Sequence, residues 1–250
     1  MRGIKTSLLA LLITVSPAQA VAAPADVAAA VAGADRPKED VALDASRKPA
    51  EVLKFLGLEK DDRVFDWLSG NGYYSEIMAR AVGPKGAVIA WNPAGFLGEE
   101  TTKRWAALRS RAPNASLMRT GAVTLAPESL DFTMLHMVYH DAYWESEKFK
   151  FPRMDPNALL RDLYVATKPG GIVGVVDHVA APGGDTREVV EKLHRIDPAT
   201  IKADFERAGF VLEAESDLLR MSGDDHSKNV FDPEIRGKTD RVVYRFRKPA

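Results

Sequence analysis

Two pairs of neighbouring residues, His140-Asp141 and Asp177-His178, contain the side chains that general acid–base chemistry uses. Histidine is the side chain best able to take up a proton near neutral pH. A histidine–aspartate pair beside a ligand is therefore a candidate acid or base. We predict His140 and Asp141 as catalytic residues. The alternative, in which His140 makes only a structural hydrogen bond within a packed loop, remains equally open.

Each pair directly follows an apolar run that reads as a strand, and ligands of doubly wound sheets bind at the carboxyl ends of strands. The polar segment 221–239 follows another predicted strand and is long for a connection. We expect it to lie over the same edge and to contact substrate, because connections of this length are often functional. The predicted substrate-binding residues are Tyr139, Tyr143, Asp177, His178 and His226.

A second feature is the glycine turn that follows the buried apolar run Val64 to Trp67. Gly70 and Gly72 have no Cβ, so the backbone can turn sharply there and approach a ligand closely. A helical period follows, and then a second strand. This order is typical of the nucleotide-binding half of a doubly wound sheet. Ser75 replaces the third glycine of a dinucleotide fingerprint, which disfavours a pyrophosphate cofactor.

The rest of the chain alternates apolar runs with amphipathic helical stretches. We expect turns at Pro113-Asn114 and at Lys168 to Gly171, and a helix from Pro156 that buries Leu159, Leu160, Leu163, Tyr164 and Val165. The predicted strands are 64–67, 87–91, 116–119, 130–137, 172–176, 210–219 and 242–246. The predicted fold class is α/β, a doubly wound, mostly parallel seven-stranded sheet with helices on both faces.

The stretch from Arg63 to Pro93 resembles motif I and the following strand of the class I S-adenosylmethionine (SAM)-dependent methyltransferases. The Gly-x-Gly-Tyr-Tyr turn and the Asn92-Pro93 after the second strand are similar to a set of exported, uncharacterised bacterial members. The resemblance covers roughly residue 49 to the C-terminus, and includes Ala208-Gly209-Phe210. It implies the Rossmann-like methyltransferase fold, with the last strand antiparallel, and SAM as the cofactor.

The resemblance also implies the cofactor contacts, which are Asp66, Ser69, Gly70, Gly72, Tyr73, Asn92 and Ala122. Asn92 would face the ribose, Ala122 the adenine, and the turn the methionine part. Two positions depart from the family pattern: Leu68 stands at its first glycine, and Asn92 at its usual acidic residue. An amide accepts the ribose hydroxyls more weakly than a carboxylate does, so we expect a weaker contact there.

The N-terminus has the pattern of a secretory signal. Arg2 and Lys5 precede a short apolar core, and Ala18-Gln19-Ala20 has the spacing of a cleavage site. We predict a signal peptide at 1–20, an N-terminal tether and possible lid helix at 21–48, and a methyltransferase-like domain at 49–250. The mature protein is then periplasmic or secreted, without a membrane anchor.

Composition excludes several classes of function. Lys plus Arg (34) nearly balance Asp plus Glu (35), so no strong field attracts nucleic acid. The chain has no cysteine, which excludes disulfides, thiolate metal sites and cysteine nucleophiles. The expected partner is a small-molecule substrate.

The function predicted from sequence is in-line methyl transfer from SAM to a small-molecule acceptor, with no metal ligands. Export separates the protein from cytoplasmic SAM, which keeps two alternatives open. One is a non-catalytic periplasmic module that binds a small molecule or a protein. The other is a metal-dependent hydrolase with ligands among His140, Asp141, Asp177, His178 and His226, although no pair has a recognised metal spacing.

Overall fold

The computed structural model describes residues 23–119 and 123–250. The predicted signal peptide, residues 1–20, lies outside these ranges, and so does Ala122. Within the described residues, no helix is both long enough and apolar enough to cross a bilayer.

Seven strands form one sheet in the order β3-β2-β1-β4-β5-β7-β6. The strands are β1 (Arg63–Trp67), β2 (Ala87–Trp91), β3 (Ala115–Met118), β4 (Leu130–His136), β5 (Thr167–His178), β6 (Val211–Ser216) and β7 (Arg241–Arg247). β7 runs antiparallel to both of its neighbours, and the other six strands share one direction. The predicted fold class is confirmed, including the antiparallel last strand.

Helices cover both faces of the sheet. In the described residues they are α1 (Val27–Val31), α2 (Lys38–Val41), α3 (Asp44–Arg47), α4 (Pro49–Leu56), α5 (Tyr73–Val82), α6 (Glu99–Arg111), α7 (Pro156–Ala166), α8 (Thr186–Leu193) and α9 (Pro198–Arg207). Short 3₁₀ turns occur at Ala94–Phe96 and Tyr139–Tyr143. Two apolar cores result, one under α4 and α5 and the other under α7 and α9.

The strand order places the switch point between β1 and β4, where the chain leaves one half of the sheet for the other. Ligands of open α/β sheets bind in the crevice outside the carboxyl ends of these strands. The glycine turn follows β1, and the His140-Asp141 pair follows β4. The fold therefore brings both features of the sequence to one edge.

Two local predictions are wrong. Val165 is 52% exposed, because α7 turns Leu160, Leu163 and Ala166 inward at three-residue spacing and leaves Val165 on the far side. The segment Lys168 to Gly171 is a bulge within β5, not a turn ahead of it. Thr167 already pairs with Leu130 before the register shifts, so the strand begins there.

The segment predicted as a tether packs against the domain from residue 23 onward. Val27 and Ala30 of α1 are buried in the same core as α4 and α5. The next two helices lie close to the glycine turn, since the Tyr73 hydroxyl donates to Asp44 of α3 at 2.6 Å. This segment therefore covers part of the carboxyl edge.

Candidate functional site

The two glycines of the turn have different surroundings. Both have positive φ, +56° at Gly70 and +88° at Gly72. A Cβ on Gly70 would meet no described atom within 4 Å, whereas one on Gly72 would lie 2.4 Å from Leu108 Cδ1 of α6. Gly70 is therefore open toward a ligand, and Gly72 is needed for α6 to pack on the turn.

Leu68 has a backbone conformation that glycine adopts more easily, and glycine is the residue of the methyltransferase motif at this position. Its φ is +53°, a left-handed conformation that glycine adopts without cost and leucine does not. Its side chain is buried in the second core, which offsets the strain. Met137, at the end of β4, has a φ of +58°. Strained backbone thus flanks the switch point on both strands, as is common at functional sites.

Asn92 holds the turn from within. Its side chain accepts from the Gly70 N–H at 2.9 Å and donates to the Gly70 carbonyl at 2.8 Å. The Trp105 indole N–H donates to the same carbonyl at 3.0 Å. Asn92 is fully buried, and both ends of its amide are engaged by Gly70. The structure therefore gives this residue a structural partner where the sequence suggested a ribose.

Asp66 is buried, and its carboxylate accepts a short hydrogen bond from the Ser75 hydroxyl on α5. Burial raises the pKa of Asp66 to about 7, although the bond from Ser75 opposes the shift. Its carboxylate thus points to α5. Ser69, by contrast, has a buried hydroxyl oxygen without a hydrogen-bond partner among the described residues.

Two arginines lie beside the turn, and we call Arg47 and Arg241 the arginine pair. The Arg47 guanidinium lies 4.4 Å from the centre of the Tyr73 ring. Arg241 is buried and donates to the carbonyls of Thr239 and Ser46. Because Arg241 bonds to the carbonyl of Ser46, the residue before Arg47, the two arginines are neighbours. Burial lowers the pKa of Arg241, and the charge of Arg47 lowers it further.

No carboxylate in the described residues forms an ion pair with the arginine pair. Asp44, Asp40 and Asp240, which carry the nearby negative charge, form ion pairs with Arg36, Arg104 and Arg220 instead. Burial and then the two arginine charges hold the pKa of His136 well below its usual range, so this histidine is neutral. Its Nε2 is buried without a described partner. Buried positive charge of this kind favours a bound anion.

The His140 ring is oriented by Asp177. His140 Nδ1 lies 2.7 Å from Asp177 Oδ1, and the same carboxylate accepts the backbone N–H groups of His140 and His178. His140 Nε2 lies 3.4 Å from Asp141. Burial alone would lower the pKa of His140, but the charges of Asp177 and Asp141 outweigh it and raise the pKa to about 9.

These groups open onto a cavity of about 300 Å³. His140, Asp141, His178 and His194 form its polar corner. Its apolar walls are Phe96, Met137, Trp144, Phe149, Val230 and Phe231. The last two walls belong to the long polar segment, so this segment does lie over the predicted edge. We call this space the aromatic cavity.

His178 has a different environment from His140. Its Nδ1 lies 2.8 Å from the Thr239 hydroxyl, and burial lowers its pKa to about 3. It is therefore a neutral hydrogen-bonding group at the cavity wall.

Three predicted substrate contacts have partners elsewhere. The Tyr139 hydroxyl donates to Asp204 at 2.7 Å, and the Tyr143 hydroxyl donates to the same carboxylate at 2.5 Å. His226 Nε2 lies 3.1 Å from Asp240. The residues lining the aromatic cavity do not include these three. Tyr73 likewise turns its hydroxyl to Asp44.

His194 is the site residue that sequence reasoning missed. It caps α8 with a φ of +50°, and its ring packs on Trp144 and Phe231 at centroid distances of 5.2 and 5.0 Å. The sequence carried one signal: a histidine follows a helix at a position where glycine or asparagine is usual. Arg195 beside it is fully buried and pairs with Asp224, which fixes the long segment over the cavity.

No protein-family model matches the chain, and no curated protein matches it. Solved structures do. A SAM-dependent methyltransferase from Aquifex aeolicus superposes with a TM-score of 0.57 at 19% identity, covering 88% of this chain and 98% of its own. A SAM-dependent methyltransferase from Mesorhizobium loti superposes with a TM-score of 0.55 at 16% identity, covering 82% of this chain and 99% of its own.

The same fold also serves another reaction. The cyclase SpnF superposes with a TM-score of 0.57 at 16% identity, over 84% of this chain and 81% of its own. At such identities the match concerns the fold, and function must be argued from the site. The chain has the Rossmann-like methyltransferase fold.

Proposed function

We propose that this chain is a SAM-dependent methyltransferase whose acceptor occupies the aromatic cavity. The observation that carries the proposal is the arginine pair, which has no ion-pair partner among the described residues and lies near Gly70, on the same sheet edge as the cavity. Its fold neighbours include proteins described as SAM-dependent methyltransferases, which supports the same assignment.

The residues fit the cofactor at two points. The arginine pair would hold the carboxylate of its methionine part, and the backbone at Gly70 leaves room for close approach. The Asn92 amide is not free to bond the ribose, because both of its ends bond to the backbone of Gly70. When bound, SAM supplies an electrophilic methyl group that an acceptor lone pair attacks as the bond to sulfur breaks.

The chain's own residues position the acceptor and receive its proton. The aromatic walls exclude water and hold a small molecule against the polar corner. His140 Nε2 faces that corner, and Asp177 fixes the ring through Nδ1. Because Asp177 and Asp141 raise the pKa of His140 to about 9, only the neutral fraction of this ring, which grows as pH rises toward 9, can take the proton of a hydroxyl or amine acceptor on Nε2. The carboxylate of Asp177 would stabilise the imidazolium that forms.

Calorimetry can test the cofactor site. S-Adenosylhomocysteine carries the amino-acid part of SAM, whereas 5′-methylthioadenosine lacks it. We expect the wild-type protein to bind the former more tightly by about 10- to 100-fold, because a charge-assisted hydrogen bond contributes about 1.5–3 kcal/mol. The Arg47→Met variant should lose this preference, because it removes the guanidinium and keeps an unbranched side chain.

Arg109→Met is the matched control, since Arg109 is an exposed arginine in the last turn of α6. It should bind both ligands as the wild-type protein does. If the wild-type protein binds neither ligand at millimolar concentration, the proposal fails. If Arg47→Met keeps the full preference, the arginine pair is not the carboxylate site.

One observation favours a second candidate, a non-catalytic binding module. Both ends of the Asn92 amide bond to Gly70, and Trp105 bonds the same carbonyl, so the turn is closed at the ribose position. A module of this kind would place its ligand in the aromatic cavity alone. Ligand binding to the cavity without any binding of S-adenosylhomocysteine would favour it.

We further propose that residues 1–20 direct export and are removed, which leaves a periplasmic or secreted protein. The support is the sequence pattern of positive start, apolar core and Ala18-Gln19-Ala20. Mass spectrometry of the protein purified from its own cells should find Val21 at the N-terminus. A mature chain that still begins at Met1 would contradict cleavage.

A further inference from the structure

The polar corner of the aromatic cavity contains three side chains of types that bind metals, and their ligand atoms lie close together. Asp141 Oδ1 lies 3.4 Å from His140 Nε2 and 3.8 Å from His194 Nδ1. All three ligand atoms lie within 4.8 Å of one another. Around a tetrahedral zinc ion with bonds of about 2.1 Å, neighbouring ligand atoms stand roughly 3.4 Å apart. The two separations from Asp141 are therefore within about 0.4 Å of those around a tetrahedral zinc ion.

The His140 ring already has the orientation of a metal ligand. Its Nδ1 is 2.7 Å from Asp177 Oδ1 and its Nε2 is 3.4 Å from Asp141, so Nδ1 can donate to Asp177 while Nε2 is directed at the proposed ion, which would displace the proton from Nε2. Metal-bound histidines usually make such a bond through the nitrogen that does not bind the ion. Asp177 is itself fixed by the backbone N–H groups of His140 and His178.

The local backbone permits neighbouring residues to face one point. His140 and Asp141 lie in a 3₁₀ turn, so their side chains do not alternate between two faces as they would on a strand. The expectation of no metal ligands rested on the lack of a recognised metal spacing in the sequence, which does not take this turn into account. His194 reaches the same corner from the end of α8, where packing on Trp144 and Phe231 holds its ring.

We propose that His140, Asp141 and His194 bind a divalent transition-metal ion, with Zn²⁺ as the ion that suits them best. Two imidazoles and one carboxylate are a common zinc donor set, whereas Ca²⁺ and Mg²⁺ prefer oxygen ligands throughout. All three residues line the aromatic cavity, which would leave a fourth position for water or for an oxygen of the substrate.

The ion would change the role of His140. Its Nε2 becomes a ligand, and a hydroxyl bound at the fourth position loses its proton more easily because the metal lowers its pKa. The inference does not depend on methyl transfer, since it uses only side chains of the described residues. A chelator would distinguish His140 as a metal ligand from His140 as a base, because it removes the metal and leaves the His140–Asp177 bond in place.

The test is zinc binding by protein purified without an affinity tag and dialysed against a chelator. Calorimetry with zinc chloride, without any SAM analogue, should show one ion per chain, and cobalt substitution should give the visible bands of a four-coordinate ion. His194→Asn should weaken zinc binding by at least about 100-fold, because even a supporting residue typically contributes roughly 10–100-fold.

His226→Asn is the matched control. Like His194, His226 has positive φ (+63° against +50°), which asparagine tolerates, and it lies outside the triangle. It should bind zinc as the wild-type protein does. Absence of zinc binding in the wild-type protein, or equal binding by both variants, would overturn the inference. Zinc binding without S-adenosylhomocysteine binding would support the metal site and contradict the proposed methyl transfer. S-Adenosylhomocysteine binding without zinc binding would contradict the metal site and leave the proposed methyl transfer standing.

Discussion

The Asp66→Asn substitution should stabilise the protein at alkaline pH and have little effect in acid. Asp66 is 3% exposed, and its carboxylate bonds to the Ser75 hydroxyl. Burial raises its pKa from 3.8 to about 7. A carboxyl whose pKa is raised on folding stabilises the native state below its unfolded pKa, and this contribution is lost as pH rises through the folded pKa.

The magnitude follows from the size of the shift. The pKa rises by roughly 3 units, and each unit corresponds to about 1.4 kcal/mol, so ionisation of Asp66 costs up to roughly 4 kcal/mol above pH 7. Asparagine keeps an oxygen for Ser75 and carries no charge. The advantage of the variant should therefore be near zero at pH 4 and approach this value at pH 8.

Urea denaturation of both proteins between pH 4 and pH 8 measures this difference directly. Asp62, whose pKa burial also raises to about 7, titrates in both proteins and cancels in the comparison. S-Adenosylhomocysteine binding should be unchanged, since the Asp66 carboxylate points to α5. Parallel pH profiles for the two proteins, or a variant that is less stable at pH 8, would refute the reasoning.

Three further substitutions test the turn. Gly72→Ala should destabilise the protein by roughly 2–4 kcal/mol in urea denaturation, because its Cβ meets Leu108 at 2.4 Å and its φ is +88°. Gly70→Ala introduces only the backbone strain and should destabilise the protein by about 1–2 kcal/mol. An equal loss of stability in the two variants would contradict the close packing of Leu108 on Gly72. Asn92→Asp removes the donor to the Gly70 carbonyl and should cost about 1–3 kcal/mol above neutral pH, and an unchanged midpoint would contradict that bond.

The order of elements and the glycine turn were predictable from sequence. Alternation of apolar runs with helical periods carries this information, because each run must be buried and each helix must cover it. Gly70 and Gly72 marked the turn, and Asn92 marked the end of the second strand. The period of α7 also showed its buried face, although Val165 was assigned to it wrongly.

The direction of individual side chains was not predictable. Which atom fills the space above Gly72 depends on the position of α6, and local sequence does not determine that packing. Asn92 bonds to Gly70 because the two strand ends lie side by side. The start of β5 at Thr167 likewise depends on its pairing with Leu130 of β4.

Long-range contacts account for the rest of the site. His194 reaches Asp141 from over fifty residues away, through the packing of α8 on the 3₁₀ turn after β4. The arginine pair joins α3 to the start of β7. Neither arrangement has a sequence spacing that reveals it, since both depend on the finished sheet.

The most direct test of the account is a crystal structure of the protein with S-adenosylhomocysteine. We predict that its carboxylate lies within hydrogen-bonding distance of Arg47 or Arg241, and that its sulfur faces the aromatic cavity. A ligand bound elsewhere, or a turn that stays closed by Asn92 and Trp105 with no adenosyl group in place, would contradict the proposed function.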